Sequence, residues 1–377
     1  MMVAARIHQF GQPMQLDVIP VPEPGPTDVL VEVKACGVVP NLQRVIKNFF
    51  GHGPNLRLMP ELPTIFGLDP AGIVSKVGNQ VISIRPGDRV YVSPARSCGS
   101  CRTCRGGEPL NCPSFTFQGY FGRSKELMKA YPYGGLCQYI TAPQSALVTL
   151  PDNVRFEVAA RFGYLGTAYS AMKKLGVGPG HTFLVNGISG TLGLNAAMVA
   201  LAMGAAKILG IGRNAQLLDR VKAIAPDRID VFSSDGTADP QASEEGSLSA
   251  WIKSHTDGYG VDSVLDCLPP GAPANAMLQA LYALRRGGNA VNVGALMEAV
   301  SLDVFWLMGH CTSLRGSVWF TTGEGQELAN MVSTGILDTS VLQHRLYPLS
   351  KINEALSGMD NREGGFTNFV IDPSDPS

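Results

Sequence analysis

Four cysteines stand at Cys98, Cys101, Cys104 and Cys112, spaced C-x2-C-x2-C-x7-C. Thiolates at such spacing can close a tetrahedral shell around Zn²⁺. Four of them leave no coordination position for a substrate, so the metal would be structural. Unligated, in a lobe carrying Gly99, Gly106 and Gly107, they would be prone to oxidation. An iron–sulfur cluster would use the same ligand type. A nucleic-acid zinc module would call for a basic recognition helix, whereas the net charge here is −1. Cys36, Cys137, Cys267 and Cys311 are scattered, as small buried apolar thiols of a reducing compartment are.

The second stretch with chemistry in it is NGISGTLG, Asn186 to Gly193. Glycines let a backbone turn tightly and approach a pyrophosphate, and the helix that follows offers free N–H groups and a positive dipole end. Ile188 stands where the usual G-x-G-x-x-G pattern has its first glycine, so Gly187, Gly190 and Gly193 spell G-x-x-G-x-x-G. A glycine-rich turn that binds nothing is the alternative. About 20 residues on, NAD-binding units place an acid for the adenosine ribose. Here that place is Gly212, followed by Arg213. A missing acid removes repulsion, and a guanidinium can clamp a 2′-phosphate. The pair points to NADP(H), against a solvated loop arginine.

Elements to position these groups are legible. Short strand-like runs separated by turns occupy the first 150 residues, at 29–38, 71–78, 87–94 and 136–143. They predict a β-rich module. Near residue 155 the pattern changes to alternating strands and helices. Phe183-Leu184-Val185 leads into a helix with Leu192, Ala196, Val199 and Met203 on one face, stopped by Gly204. Strands follow at 207–211, 261–266 and 289–294. This is a βαβ series, hence an α/β parallel sheet. Ser350 is the predicted cap of a helix bearing Ile352, Ala355, Leu356 and Met359. Stretch 235–248 reads as a surface excursion.

The 377 residues suffice for two or three domains, with 45% hydrophobic and 16% charged side chains. No run of one charge suggests a nucleic acid or a membrane surface, and no stretch is apolar for long enough to span a bilayer. MMVAARIHQF lacks the apolar core of a signal peptide. The expectation is a cytoplasmic protein.

Together these residues make the chain resemble the medium-chain dehydrogenase/reductase superfamily of zinc-type alcohol dehydrogenases and quinone oxidoreductases. LGTAYSAM (165–172) and YPLSKINEAL (347–356) extend the likeness over essentially the whole chain. The resemblance implies a GroES-like β-rich catalytic domain, 1–154 and 317–377, around a Rossmann doubly wound parallel-sheet cofactor domain, 155–316. It also implies NAD(P)-linked hydride transfer, a homodimer or homotetramer, and one structural zinc on the four cysteines. Cofactor contacts are implied at Gly187, Ser189, Gly190, Thr191, Leu192, Gly212, Arg213, Asn214, Val293 and Asn368, and a place near the nicotinamide at Thr167.

The departures concern the catalytic zinc. Its ligands lie in patterns like CGVC-x-[ST]-D and GHE-x-A-G-x-V and four residues before the Thr of T-x-Y. The corresponding places here are Val39, Leu68 and Gly163, none of which can bind zinc. The proton-relaying hydroxyl corresponds to Asn41. Only His52 or His310 could supply a replacement ligand. GVVP (37–40), GLDPAGIV (67–74) and NGISGTLG instead resemble the zinc-free quinone reductase branch. Without a Lewis acid, NADPH suits an acceptor with its own electron sink: an enone, enal or quinone. Asn41 would hold the nicotinamide ribose or a substrate oxygen. Tyr164 is the candidate proton donor, with packing as its other role. Asp69 reads as structural and buried. Phe49, Phe50 and Trp306 are expected to line an apolar pocket, or to pack in a core or an interface. Two alternatives stand beside this reading. One is a carbonyl reductase or alcohol dehydrogenase that uses a side-chain acid; the other is a non-catalytic NADPH-binding protein with a structural or regulatory role.

Overall fold

The computed structural model describes residues 1–47, 57–234 and 247–375. Phe49, Phe50, His52 and most of the 235–248 excursion lie outside the described residues.

The α/β reading holds. Six parallel strands run in the order Ile229–Ser233, Lys207–Gly212, Thr182–Asn186, Val261–Asp266, Leu284–Asn292 and Ser313–Gly316. Their side chains alternate between two cores. Phe183, Val185, Ile208, Leu265 and Val291 join one buried cluster. Leu184, Leu209, Val264 and Ala290 join another on the opposite face. Burial on both faces is why the central strands, Lys207–Gly212, Thr182–Asn186 and Val261–Asp266, read as largely apolar runs. The strand order reverses beside Thr182–Asn186, which opens the crevice where such sheets hold ligands.

A seven-stranded sheet combines strands from 28–149 with Gln343–Pro348 and Thr367–Asp372. Chain distant in sequence therefore closes the β-rich module. The larger buried cluster runs through it and one face of the parallel sheet.

Two local expectations change. The helix Thr191–Ala202 is buried over nearly its whole circumference, so its pattern is that of an enclosed helix, apolar all round. The helix Ile352–Ser357 has Lys351 at its cap position; Ser350 sits inside the preceding 3₁₀ turn Leu349–Lys351. The cap is therefore not the serine.

Ile188 is fully buried. A Cβ built on Gly210, in the neighbouring strand, would lie 2.4 Å from the Ile188 Cδ1. The side chain thus fills room that Gly210 leaves. Ile188→Gly, which restores the ordinary fingerprint, is expected to destabilise the protein by about 3–5 kcal/mol through the resulting cavity. Urea denaturation measures it, and a variant as stable as the parent would contradict the packing account.

Candidate active site

The glycine loop is built for a close approach. Gly187 has φ +87°, and the N–H groups of Gly187 and Ile188 both donate to the Ile211 carbonyl at 2.9 Å. A Cβ on Gly193 would fall 2.2 Å from the Gly187 oxygen, so only glycine lets the helix sit this tightly on the loop. Gly190 stands at the helix cap without a side-chain cap bond, which leaves N–H groups of the first turn open. The Thr191 hydroxyl is buried with no hydrogen-bond partner among the described residues. An uncapped helix end and an orphaned hydroxyl fit the pyrophosphate of a dinucleotide. Leu192 is half-buried beside them.

Ser189 lies against Gly212, its Oγ 3.1 Å from the Cβ position of that glycine. Arg213 is exposed. Asn214 accepts the Leu217 N–H at 3.1 Å and caps the helix Ala215–Lys222; its oxygen is committed to the helix. Val293 is half-buried at the end of Leu284–Asn292 and donates to the Asp266 carbonyl. Asn368 departs from its expected role. It is 1% exposed; its Oδ1 accepts from Arg161, and its Nδ2 meets the Glu157 carbonyl and His344. With both ends engaged, its amide supports Arg161 and is not free for a cofactor.

Two features escaped the sequence reading here. Cβ atoms on Gly364 and Gly365 would each lie 2.5 Å from the carbonyls of Ser189 and Gly190 respectively, and Gly365 donates to Ser189 at 2.9 Å. This segment of the C-terminal part is seated on the nucleotide loop. Arg161 donates to the Gly365 carbonyl at 2.6 Å, and the Nε atoms of Arg161 and Arg362 are buried without partners among the described residues.

The second centre surrounds the helix Phe162–Leu175. Val39 and Leu68 are buried. Beside Gly163 stands the Asp69 carboxylate: a Cβ on Gly163 would meet its oxygens at 2.4 and 2.6 Å. The carboxylate accepts from the Tyr91 hydroxyl at 2.8 Å and from the Gly163 N–H. It therefore caps this helix from another part of the chain. Burial pushes its pKa up to about 7, against the lowering effects of Tyr91, Gly163 and Arg161. None of Val39, Leu68 and Gly163 offers a zinc donor, so these residues do not fit a catalytic metal.

The same helix carries Tyr164 and Thr167. Tyr164 is half-buried, its ring 5.4 Å from the Arg161 guanidinium carbon. Burial holds its hydroxyl far above its ordinary pKa, and among the described residues that hydroxyl has no hydrogen-bond partner. Thr167 donates to the Gly163 carbonyl at 2.6 Å, leaving its oxygen lone pairs free. Asn41 accepts from the Tyr120 hydroxyl at 2.7 Å. Burial first, and then the nearby Tyr164 and Asp69, push the Tyr120 hydroxyl's pKa well above its ordinary value, so the partner of Asn41 lies near this centre. His310 and Trp306 fall elsewhere. Their rings stack 4.6 Å apart, with the exposed Tyr282 4.7 Å from Trp306, and the half-buried Trp306 packs against the buried cluster on the cofactor sheet's other face. Trp306 is a packing residue there.

The four cysteine sulfurs lie within 4.8 Å of one another. Cys98–Cys112 and Cys101–Cys112 are 3.6 and 3.8 Å apart. A Zn–S bond of about 2.3 Å gives tetrahedral S···S edges of about 3.8 Å. The quartet could hold a structural zinc. Among the described residues it is the only such group of three or more His, Cys, Asp or Glu.

Comparison with known proteins agrees with this architecture. The alcohol dehydrogenase GroES-like domain family matches residues 25–152, and the zinc-binding dehydrogenase family matches 191–334. Sorbitol dehydrogenase of Homo sapiens is 27% identical, over 98% of this chain and 96% of its own. An alcohol dehydrogenase of Geobacillus stearothermophilus is 29% identical, over 95% and 96%. The crystal structure of an NAD-dependent alcohol dehydrogenase superimposes with a TM-score of 0.80 at 25% identity, covering 98% of this chain and 99% of that one. The chain belongs to the medium-chain dehydrogenase/reductase superfamily of NAD(P)-dependent oxidoreductases, in its zinc-type alcohol dehydrogenase-like division.

Proposed function

We propose that this protein is an NADP(H)-dependent reductase that transfers hydride to an activated C=C bond or a quinone without a catalytic zinc. One observation carries the reading. Where relatives of this family hold that metal, this chain has Val39, Leu68 and Gly163, with the Asp69 carboxylate filling the space at Gly163. No Lewis acid then polarises the acceptor oxygen. An enone, enal or quinone delocalises charge to that oxygen, and hydrogen-bond donors suffice to stabilise it. Asn41 is the donor to the oxygen, Tyr164 the proton donor, and Thr167 borders the nicotinamide.

The cofactor supplies the hydride when bound. Gly187, Ser189, Gly190 and Thr191 would hold its pyrophosphate and Val293 its nicotinamide end; Gly212 and Arg213 would receive a 2′-phosphate. Arg213→Ala is expected to raise the Kd for NADPH about 10- to 100-fold, from the loss of a charge-assisted bond worth about 1.5–3 kcal/mol, and to leave that for NADH unchanged. Fluorescence titration with both nucleotides checks it; equal losses for the two would refute the phosphate contact.

One structural zinc per chain sits on Cys98, Cys101, Cys104 and Cys112. The domains divide at residues 154 and 316. The oligomer is a homodimer, for which the open edge of Ser313–Gly316 and the exposed Val304, Phe305 and Met308 nearby offer a surface. No helix among the described residues is long and apolar enough to cross a membrane, and the cytoplasm is the proposed location.

The names of the relatives favour a second reading, an alcohol dehydrogenase or carbonyl reductase acting through a side-chain acid. NADPH oxidation with cyclohex-2-en-1-one against cyclohexanone separates the two: the first reading expects turnover of the enone alone. Metal analysis is expected to find one zinc per chain, and two would sink the metal-free mechanism.

A further inference from the structure

Tyr120 belongs to no motif in the sequence, yet its hydroxyl is the partner of Asn41. Tyr120 is 1% exposed, with its ring against Phe66 and Phe121 at 5.9 and 5.1 Å. Among the described residues, its hydroxyl has one acceptor, the Asn41 Oδ1 at 2.7 Å. A reversed amide would offer it a second donor and leave the phenolic proton buried without an acceptor, which is costly. The hydroxyl therefore sets which edge of the amide is which.

Asn41 shows the other half of the arrangement. It stands at the cap position of the helix Leu42–Ile46, where asparagine ordinarily turns its oxygen onto the helix's first N–H groups. Here it makes no such bond. Its oxygen is held by Tyr120, 79 residues away in sequence, and no acceptor takes its Nδ2 hydrogens among the described residues. Asn41 is half-buried, so these donors stay accessible to a ligand.

We propose that Tyr120 is a positioning residue. By binding the Asn41 oxygen it holds the Nδ2 donors toward the substrate oxygen on which negative charge develops during hydride transfer. The inference rests on the assignment of Asn41 to the substrate oxygen. A preorganised donor acts on the charged transition state more than on the bound ground state, so its loss belongs in kcat.

Steady-state turnover of cyclohex-2-en-1-one with NADPH tests this in the full-length protein, with thermal melts and NADPH affinity measured alongside. Tyr120→Phe keeps the buried ring and removes only the hydroxyl. It is expected to lower kcat about 10- to 100-fold, with the NADPH Kd within about twofold of the parent. Asn41→Ala should lose about as much, and the double variant no more than Asn41→Ala alone, because two residues acting as a unit are not additive. Asn41→Asp keeps an acceptor for Tyr120 but has no N–H, and should be as slow as Asn41→Ala. A normal kcat in Tyr120→Phe beside a slow Asn41→Ala would overturn the positioning role alone. Normal rates in both would overturn the assignment of Asn41 itself. A wild-type protein that fails to reduce the enone would overturn the proposed reaction, and this inference with it.

Discussion

Asp69→Asn is expected to flatten the dependence of stability on pH between about 4 and 7. The Asp69 carboxyl titrates near 7 in the folded protein, raised by burial from an ordinary 3.8. Between these values the folded chain binds a proton that the unfolded chain has released. Stability therefore falls as pH rises through this window, and the full loss is present above 7. At about 1.4 kcal/mol per unit, three units bound the effect at about 4 kcal/mol. An asparagine has no such titration and keeps an oxygen for the Tyr91 hydroxyl. The variant should gain on the parent from about pH 4.5 up to about 7 and level off above it. Asp266, raised to about 6, and His344, lowered to about 4, titrate in both proteins, so the difference between the two curves isolates Asp69. Urea midpoints at four pH values suffice, and parallel curves would refute the assignment. The charge has a compensating role: it caps the helix that carries Tyr164 and Thr167.

If the quartet holds the proposed zinc, Cys112→Ser should strip it and loosen the lobe between the paired strands Ala95–Arg96 and Thr116–Phe117. Cys112 is 3% exposed, and its sulfur is within 3.8 Å of those of Cys98 and Cys101. A serine oxygen is a poor substitute for a thiolate, and three ligands would hold the metal weakly. Structural zinc binding is worth about 10–16 kcal/mol in small domains, part of which offsets the ordering of the lobe. A net loss of about 3–5 kcal/mol lowers the melting midpoint of a chain this long by roughly 4–6 °C. Metal content near zero and a lowered midpoint are the expected results; a variant that retains one zinc per chain would refute the four-ligand site. The lobe leads directly into Tyr120, so chelation should also lower kcat while leaving NADPH affinity in place.

What was legible in the chain was local. The cysteine quartet and the glycine loop are each contained in fifteen or fewer consecutive residues, and their chemistry follows from spacing. Four of the six strands of the parallel sheet were visible, the central ones because burial on both faces leaves unbroken apolar runs; the edge strands Ile229–Ser233 and Ser313–Gly316, largely half-buried or exposed, carry no such run. What was missed depends on contacts distant in sequence. Tyr120 meets Asn41 across 79 residues, and Arg161 meets Asn368 across 207. Gly364 and Gly365 need their missing side chains only because Ser189 and Gly190 lie against them. Asn368 was assigned to the cofactor because resemblance transfers a position; its two hydrogen-bonding ends, taken by Arg161, Glu157 and His344, appear only in three dimensions. For Trp306 the sequence left pocket and packing both open, because an aromatic side chain carries no signal of which surface it joins; it packs against the sheet's second cluster.

Ile188 and Gly210 share one volume. The nucleotide fingerprint is therefore a constraint on the summed bulk of a loop position and a position in the neighbouring strand, and a tally of glycines in one loop misses half of it. A chain with glycine at position 188 has room for a larger residue at 210, whereas this chain has made the opposite choice. The two positions are thus coupled under mutation: the loss caused by Ile188→Gly should be partly recovered by Gly210→Ala, a change that the parent protein would not tolerate.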